Sequence, residues 1–337
     1  MVQGLQAAAL EKHNVFYIQG KWLLALYAVV PILALIVIMD IWLFDVELKA
    51  QYLPDHPARW AYWALIFNLP HIIGSWVTFA DKEYLQHYRR QFSHVLPIVF
   101  LLVLIVHEIL GGMFAFVVFG FYTMYHVLSQ QFGISMLLMG VRPSSNYEWW
   151  RWTSSVGAMF LYVIIFTGEA THQYEFGGIK FNDWCLLLAS IFLIISSLFA
   201  AKLAKQAKHQ IGVVYLWANV IMLFACLGAA KLEYFAFVVI IPRIVHDLTA
   251  FTMYAAHDQN RNKDQPVNYI YRFLSFTKLP YYILCPLVAI CIAYPLTTSP
   301  SHIADIIVLT LTYFHYYFEA FIWKGQAPHR QSISIIR

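Results

Sequence analysis

The chain has 337 residues, of which 61% are hydrophobic and only 12% are charged, and its formal net charge is +4. Soluble domains carry about 25% charged residues, so this chain has too few charges to cover a soluble fold. Disorder, a coiled coil and nucleic-acid binding are excluded as main themes. The composition predicts an all-α, polytopic transmembrane helix bundle. The first residues are polar where a signal peptide has its apolar core, so we expect no cleaved targeting segment.

Apolar segments of the length that crosses a bilayer, about 20 residues, recur along the chain. We expect one integral-membrane domain over residues 1–337 with ten spans. The run 94–139 is too long for one span and is divided near Gly111-Gly112; one long helix with a re-entrant piece would leave nine spans. The ten predicted spans lie near 22–44, 58–80, 94–109, 112–139, 153–169, 183–201, 212–230, 234–257, 279–296 and 301–323.

The distribution of basic residues predicts the orientation. With a cytoplasmic N-terminus and ten spans, 17 of the 22 lysines and arginines fall in cytoplasmic segments and four in external ones. Membrane proteins keep an excess of Lys and Arg inside, so we expect both termini in the cytoplasm and the protein in the inner (cytoplasmic) membrane. Tryptophans near the predicted borders, such as Trp149 and Trp323, are typical of an interfacial aromatic belt.

Four of the 14 histidines occupy matching positions in spans of the same direction. His71 lies 13 residues into its span, His126 and His315 each lie 14, and His246 lies 12; their depths therefore differ by only about 3 Å. A polar group at the bilayer centre should face the bundle interior and have partners. We expect these four histidines to bind one metal ion near the midplane. Imidazole suits iron, copper and zinc, and non-haem iron best fits oxygen chemistry on an apolar molecule.

A second set of polar residues lies one to three helical turns toward the cytoplasm. Gln130 and Glu319 each follow a predicted ligand by four residues, and Asp247 adjoins His246. Ligating histidines usually donate their second N–H to a carboxylate or carbonyl, so Glu319, Asp247 and Gln130 are the predicted catalytic-site residues that orient the ligands. His257 is a further candidate metal ligand, with Glu319, for a second ion. Alternatively, this layer is simply the polar end of the bundle.

The remaining histidines are weaker candidates for metal ligands. His13, His56, His209, His302 and His329 fall in predicted loops or at borders, where we expect them to be solvated. The polar segment HDQNRN, 257–262, is typical of a helix end. The segment SQQFG, 129–133, is interpreted in the same way; alternatively, the two segments form a cytoplasmic mouth over the metal.

Four short segments carry the predicted ligands in a recognisable order. They are Asn68-Leu69-Pro70-His71 with Asp81, His126 with Phe132-Gly133, His246 with His257, and His315 with Glu319. This order resembles the Brp/Blh family of membrane β-carotene dioxygenases, although Asn68 and Ile72 stand where that family has glycines and its closely spaced histidine pair is absent. The resemblance implies an iron held by histidines and oxygen-dependent attack on a polyene or another lipid.

The sequence therefore predicts an integral-membrane, iron-dependent oxidoreductase, either a dioxygenase or a desaturase-like enzyme. Its substrate would be an apolar molecule dissolved in the membrane, such as a carotenoid or lipid, and its partners dioxygen and an electron donor. Two alternatives stay open. A transporter for a metal ion, proton or lipid also places His, Asp and Arg inside the membrane. A haem b protein would use facing histidines as axial ligands.

Overall fold

The computed structural model describes residues 15–53, 69–109, 112–167, 171, 173–298 and 302–336, and this part of the chain is mainly helical. Two short strand pairs accompany the helices. The strands are β1 Tyr17–Gln19, β2 Glu175–Phe176, β3 Ile179–Lys180 and β4 Ser334–Ile336. The helices are α1 Gly20–Leu43, α2 Glu47–Gln51, α3 Leu69–Thr78, α4 Lys82–His87, α5 Gln91–Ile109, α6 Gly112–Met139, α7 Ser145–Thr167, α8 Phe181–Ala204, α9 Gln210–Lys231, α10 Phe235–Arg261, α11 Tyr269–Phe273, α12 Tyr281–Thr298, α13 His302–Ile322 and α14 Pro328–Gln331.

Six helices in the described residues are long and apolar enough to cross a membrane: α1, α5, α8, α9, α10 and α12. They confirm the all-α class and indicate an integral membrane protein. Nine of the ten predicted spans coincide with a helix; of the second, α3 covers Leu69–Thr78, and residues 58–68 lie outside the described part. The division of the run 94–139 is confirmed, because α5 ends at Ile109 and α6 begins at Gly112. The count of ten spans and the cytoplasmic orientation stay predictions.

The chain divides into two compact units. The terminal unit comprises Met1–Gln19, Ala64–His107 and Leu248–Ile336, and the central unit comprises Gly20–Trp63 and Glu108–Asp247. Helix α10 therefore contributes residues 235–247 to the central unit and 248–261 to the terminal unit. The expectation of a single domain stays a prediction.

In the terminal unit, α3 packs on α12 and α13. Leu69 and Ile73 belong to the same buried cluster as Ala289 and Ala293 of α12, whose small side chains allow close helix packing in a membrane. The two ends of the chain are joined here, because β1 pairs with β4 in parallel. Asn260, at the end of α10, donates to the carbonyl oxygens of Phe16 and Ser332, both at 2.9 Å.

In the central unit, α7 packs on α8, and α6 packs on α7 and α9. The start of α9 lies so close to the end of α6 that a Cβ at Gly212 would be 2.2 Å from the backbone nitrogen of Met139. Glycine at position 212 is therefore required for this approach. Gly177 and Gly178 connect β2 to β3 with positive φ angles of 61° and 74°, as a two-residue hairpin turn requires.

Helix α5 presents an apolar surface. Only 6% of the most apolar 18-residue stretch of this helix is buried. Its exposed residues include Ile98, Leu101, Leu102 and Ile105. In water such a surface would aggregate, but against lipid tails it is stable. Trp149 is exposed, as the predicted interfacial belt requires, whereas Trp323 is half-buried.

Candidate functional site

The terminal unit brings two of the predicted ligands together. His71 on α3 and His315 on α13 are both 1% exposed, and their ring centroids lie 5.1 Å apart at an interplanar angle of 75°. Two imidazoles that bind one ion through nitrogens about 2.1 Å away, at 90–110° to each other, have ring centroids about 4.6–5.3 Å apart. The centroid distance of this pair falls within that range.

A serine fixes the tautomer of His315. The Ser75 hydroxyl donates to the carbonyl oxygen of Ile72 at 2.6 Å and lies 2.8 Å from Nδ1 of His315. Because the hydroxyl hydrogen is used on Ile72, Ser75 accepts the Nδ1–H of His315. The lone pair of His315 is then on Nε2, the form in which imidazole binds a metal with an outer hydrogen bond.

A carboxylate faces this nitrogen. Oε2 of Glu319 lies 3.8 Å from Nε2 of His315, too far for a hydrogen bond but within the roughly 3–4 Å that separates two ligand atoms on one ion. The other oxygen, Oε1, accepts from the Tyr254 hydroxyl and from Nε1 of Trp323, the latter at 3.2 Å. Glu319 is therefore held in place through one oxygen and directed toward His315 with the other.

The central unit contains the second pair. His126 on α6 and His246 on α10 are 8% and 0% exposed, and their centroids are also 5.1 Å apart, at 80°. Oδ1 of Asp247 lies 4.0 Å from Nε2 of His246 and 3.8 Å from Nη2 of the buried Arg243. This group also combines two imidazoles with a carboxylate, but a cationic guanidinium stands beside the carboxylate.

Six buried residues belong to groups of His, Asp and Glu that could hold a metal ion: His71, His126, His246, His315, Asp247 and Glu319. Within the units the four predicted histidines form two pairs. That all four bind a single ion stays a prediction.

His257 has a different environment in the terminal unit. Its Nε2 lies 2.9 Å from the Tyr84 hydroxyl, and its Nδ1 lies 2.8 Å from Oδ1 of Asp258. The second oxygen of Asp258 accepts from the Tyr271 hydroxyl. Both ring nitrogens of His257 therefore take part in a hydrogen-bonded cluster, and a metal would have to displace one of these partners. The second metal ion stays a prediction that this geometry does not favour.

His329 is fully buried, so the expectation that it is solvated is wrong. Its ring stacks on Tyr84 with a centroid distance of 4.0 Å and on His257 at 4.9 Å, and its Nε2 lies 3.3 Å from the Thr78 hydroxyl. Pairing of β4 with β1 directs α14 onto the unit and buries the ring. Burial, followed by the electrostatic effects of the neighbouring His257 and Arg261, holds the pKa of His329 well below its usual range.

The predicted role of Gln130 stays untested; its side chain is half-buried on α6. The next residue, Gln131, has the defined contacts, since its Oε1 accepts from the hydroxyls of Tyr27 at 3.2 Å and Tyr215 at 2.5 Å. The expectation that SQQFG ends a helix is wrong, because α6 continues to Met139. The interpretation of HDQNRN as a helix end is confirmed: α10 ends at Arg261.

Ser75 and Tyr254 were not predicted as site residues, and Trp323 was predicted to belong to the interfacial belt. Spacing contained part of the signal: Ser75 follows His71 by four residues, and Trp323 follows Glu319 by four, which places each on the same helical face as its predecessor. Asp81, which the resemblance groups with His71, caps α4 by accepting from the backbone N–H of Glu83 at 2.8 Å, and it pairs with Arg261 at 3.0 Å.

Comparison of the chain with protein-family models, with curated proteins and with solved structures yields no significant match. The resemblance to the Brp/Blh family therefore stays a prediction, and the geometry of the two histidine pairs carries the functional argument.

Proposed function

We propose that this protein is an integral-membrane enzyme that binds non-haem iron and uses dioxygen to oxidise an apolar molecule dissolved in the bilayer, such as a carotenoid or another lipid. The observation that carries the proposal is the pair of buried imidazoles with an adjacent carboxylate, present in each unit. Histidines with a carboxylate are the ligands that non-haem iron oxygenases use, with positions left open for dioxygen.

The protein's own contribution would be to hold and orient the ion and to keep the site dry. His71 and His315, and likewise His126 and His246, would supply neutral nitrogens. Iron bound there would supply the redox chemistry that activates dioxygen. The apolar spanning helices would let a membrane-dissolved substrate approach from the lipid phase. We place the protein in the cytoplasmic membrane, with both termini inside, and expect an electron donor as partner.

The ring spacing speaks against the haem alternative. A haem iron between two axial histidines separates their ring centroids by about 6 Å, since both nitrogens lie about 2.0 Å from the iron on opposite sides. The centroids in both pairs are 5.1 Å apart. Adjacent positions on one ion fit this distance better than a porphyrin between the rings.

Metal analysis and an optical spectrum of the detergent-purified protein test the proposal. We expect stoichiometric iron, no Soret band, and iron-dependent oxygen uptake when a membrane lipid extract is added. A Soret band would identify haem. Protein that takes up no iron after anaerobic incubation with Fe²⁺ would contradict the enzyme and favour a transporter.

A further inference from the structure

Glu319 is placed to do more than orient a histidine. It lies on α13 one turn after His315 and is 8% exposed. An ionised carboxylate that is removed from water needs hydrogen bonds or an opposite charge. Its two oxygens have different surroundings, and this difference indicates how the group is used.

Oε1 of Glu319 is the anchored oxygen. It accepts the Tyr254 hydroxyl and the Nε1–H of Trp323 at 3.2 Å. Both donors are neutral groups, and both bond to the same oxygen of the carboxylate. Tyr254 is itself rigid, since it is 0% exposed and its ring packs on Trp323 with a centroid distance of 5.7 Å. The anchor is therefore built from packed aromatic side chains.

Oε2 of Glu319 is the oxygen that faces a ligand nitrogen, 3.8 Å from Nε2 of His315. Ser75 accepts the proton on Nδ1 of that histidine, which places the lone pair on Nε2. A carboxylate oxygen and an imidazole lone pair that face each other at this distance suit a cation bound to both atoms.

We propose that Glu319 is itself a ligand of the iron, through Oε2, and that Tyr254 is the positioning residue that fixes this carboxylate. The inference rests on the proposed function. It differs from the sequence prediction, in which Glu319 oriented the four histidines and was a candidate ligand only of a second ion with His257. Tyr254 makes no bond to the ion; it acts through Glu319.

Glycine on α3 supports this arrangement. A Cβ at Gly74, between His71 and Ser75 in sequence, would lie 3.5 Å from Cδ2 of Tyr254 and 3.3 Å from Cε1 of Phe251. The tyrosine ring therefore packs against the same helix that carries His71 and Ser75, and a larger side chain at position 74 would press on it.

The test compares Fe²⁺ affinity, measured anaerobically by chelator competition, in the wild type, in Tyr254→Phe and in Tyr271→Phe. The control also loses one buried hydroxyl, which donates to Asp258. Loss of an outer partner of a metal ligand lowers metal affinity by about 10–100-fold. We expect that loss in Tyr254→Phe, and Tyr271→Phe should bind Fe²⁺ like the wild type.

A double-mutant cycle separates positioning from a general loss of structure. If Tyr254 acts through Glu319, Tyr254→Phe should have no further effect on Fe²⁺ affinity in a Glu319→Gln background. The absorption bands of bound Co²⁺ should shift alike in Tyr254→Phe and Glu319→Gln and stay unchanged in Tyr271→Phe. Should Tyr254→Phe fail to fold, Trp323→Phe removes the other donor to Oε1 and is expected to shift the Co²⁺ bands in the same direction.

Wild-type Fe²⁺ affinity in Tyr254→Phe, or an undiminished effect of Tyr254→Phe in the Glu319→Gln background, would overturn the inference and leave the proposed function standing. A wild type that binds neither Fe²⁺ nor Co²⁺ would overturn both.

Discussion

The histidine pairs of the two units have the same ring spacing, but the groups next to their carboxylates differ in charge. In the terminal unit the carboxylate of Glu319 is held by two neutral donors, Tyr254 and Trp323. In the central unit the carboxylate of Asp247 lies 3.8 Å from the guanidinium of Arg243. The carboxylate of Asp247 therefore has a cationic neighbour, whereas these two donors to Glu319 carry no charge.

This difference is large enough to matter for a divalent cation. At an effective dielectric constant of about 20, a guanidinium about 6 Å away raises the energy of a bound dication by roughly 5 kcal/mol. Two sets of ligands with equal ring geometry can therefore differ by several powers of ten in metal affinity. We expect the terminal group to dominate metal binding and the central Asp247 to serve partly as the counter-ion of Arg243.

Removal of a histidine should have the largest effect. We expect His315→Ala to lose more iron affinity than the about 10–100-fold typical of an outer partner, because a direct ligand is lost. His94→Ala, at an exposed position of the same unit, is the control and should retain its iron. A smaller loss of iron affinity in His246→Ala than in His315→Ala would support the prediction that the terminal group dominates metal binding. Equal losses in the two variants would contradict that prediction. Iron content after dialysis gives the comparison.

Substitution of Glu319 should mainly lower iron affinity, whereas substitution of Asp247 should mainly lower stability. Glu319→Gln is expected to lower iron affinity strongly, with a small change in stability. Asp247→Asn should change iron affinity less but lower the free energy of unfolding by up to about 3–5 kcal/mol, because it leaves the Arg243 charge in a buried site. Iron titration and thermal unfolding of both variants in one detergent provide the measurement, and identical profiles for the two variants would refute the comparison.

The smallest expected effect is a pH dependence of stability that arises from His329 in the terminal unit. The pKa of His329 in the folded state lies well below its usual value of 6.5, chiefly because the ring is buried. The unfolded state therefore binds more protons, and stability should fall as the pH is lowered through about 6.5.

His329→Gln should flatten this dependence below pH 6.5, and His94→Gln should leave it intact. Melting temperatures measured across pH 5–8 provide the test. A wild type whose melting temperature does not fall on acidification would contradict the assignment.

Hydropathy was sufficient to predict the helices. Nine of the ten predicted spans coincide with a helix in the described residues, because about 20 consecutive apolar residues leave few alternatives in a membrane. Depth matching also selected four histidines that are all buried and paired. It could not show that His71 pairs with His315 and His126 with His246, because the choice depends on which helices pack together.

Contacts between distant parts of the chain explain why the burial of His329 and the role of Tyr254 were not predicted from the sequence. His329 is buried because Ser334–Ile336 pairs with Tyr17–Gln19, and no local pattern indicates a strand pair formed across almost the whole chain. Tyr254 was missed because a tyrosine in an apolar helix is ordinarily a packing residue, and only its contact with Glu319 marks it out. Glu319 itself was found by its i+4 spacing from His315.

X-ray absorption spectroscopy of the iron-loaded protein in detergent tests the central claim most directly. The account predicts nitrogen and oxygen ligands at about 2.0–2.2 Å, with the outer-shell scattering of at least two imidazoles on each ion and loss of one oxygen ligand in Glu319→Gln. The iron-to-protein ratio from the same sample tests whether one ion serves all four histidines. A spectrum without imidazole scattering, or with the pattern of a porphyrin, would contradict the account.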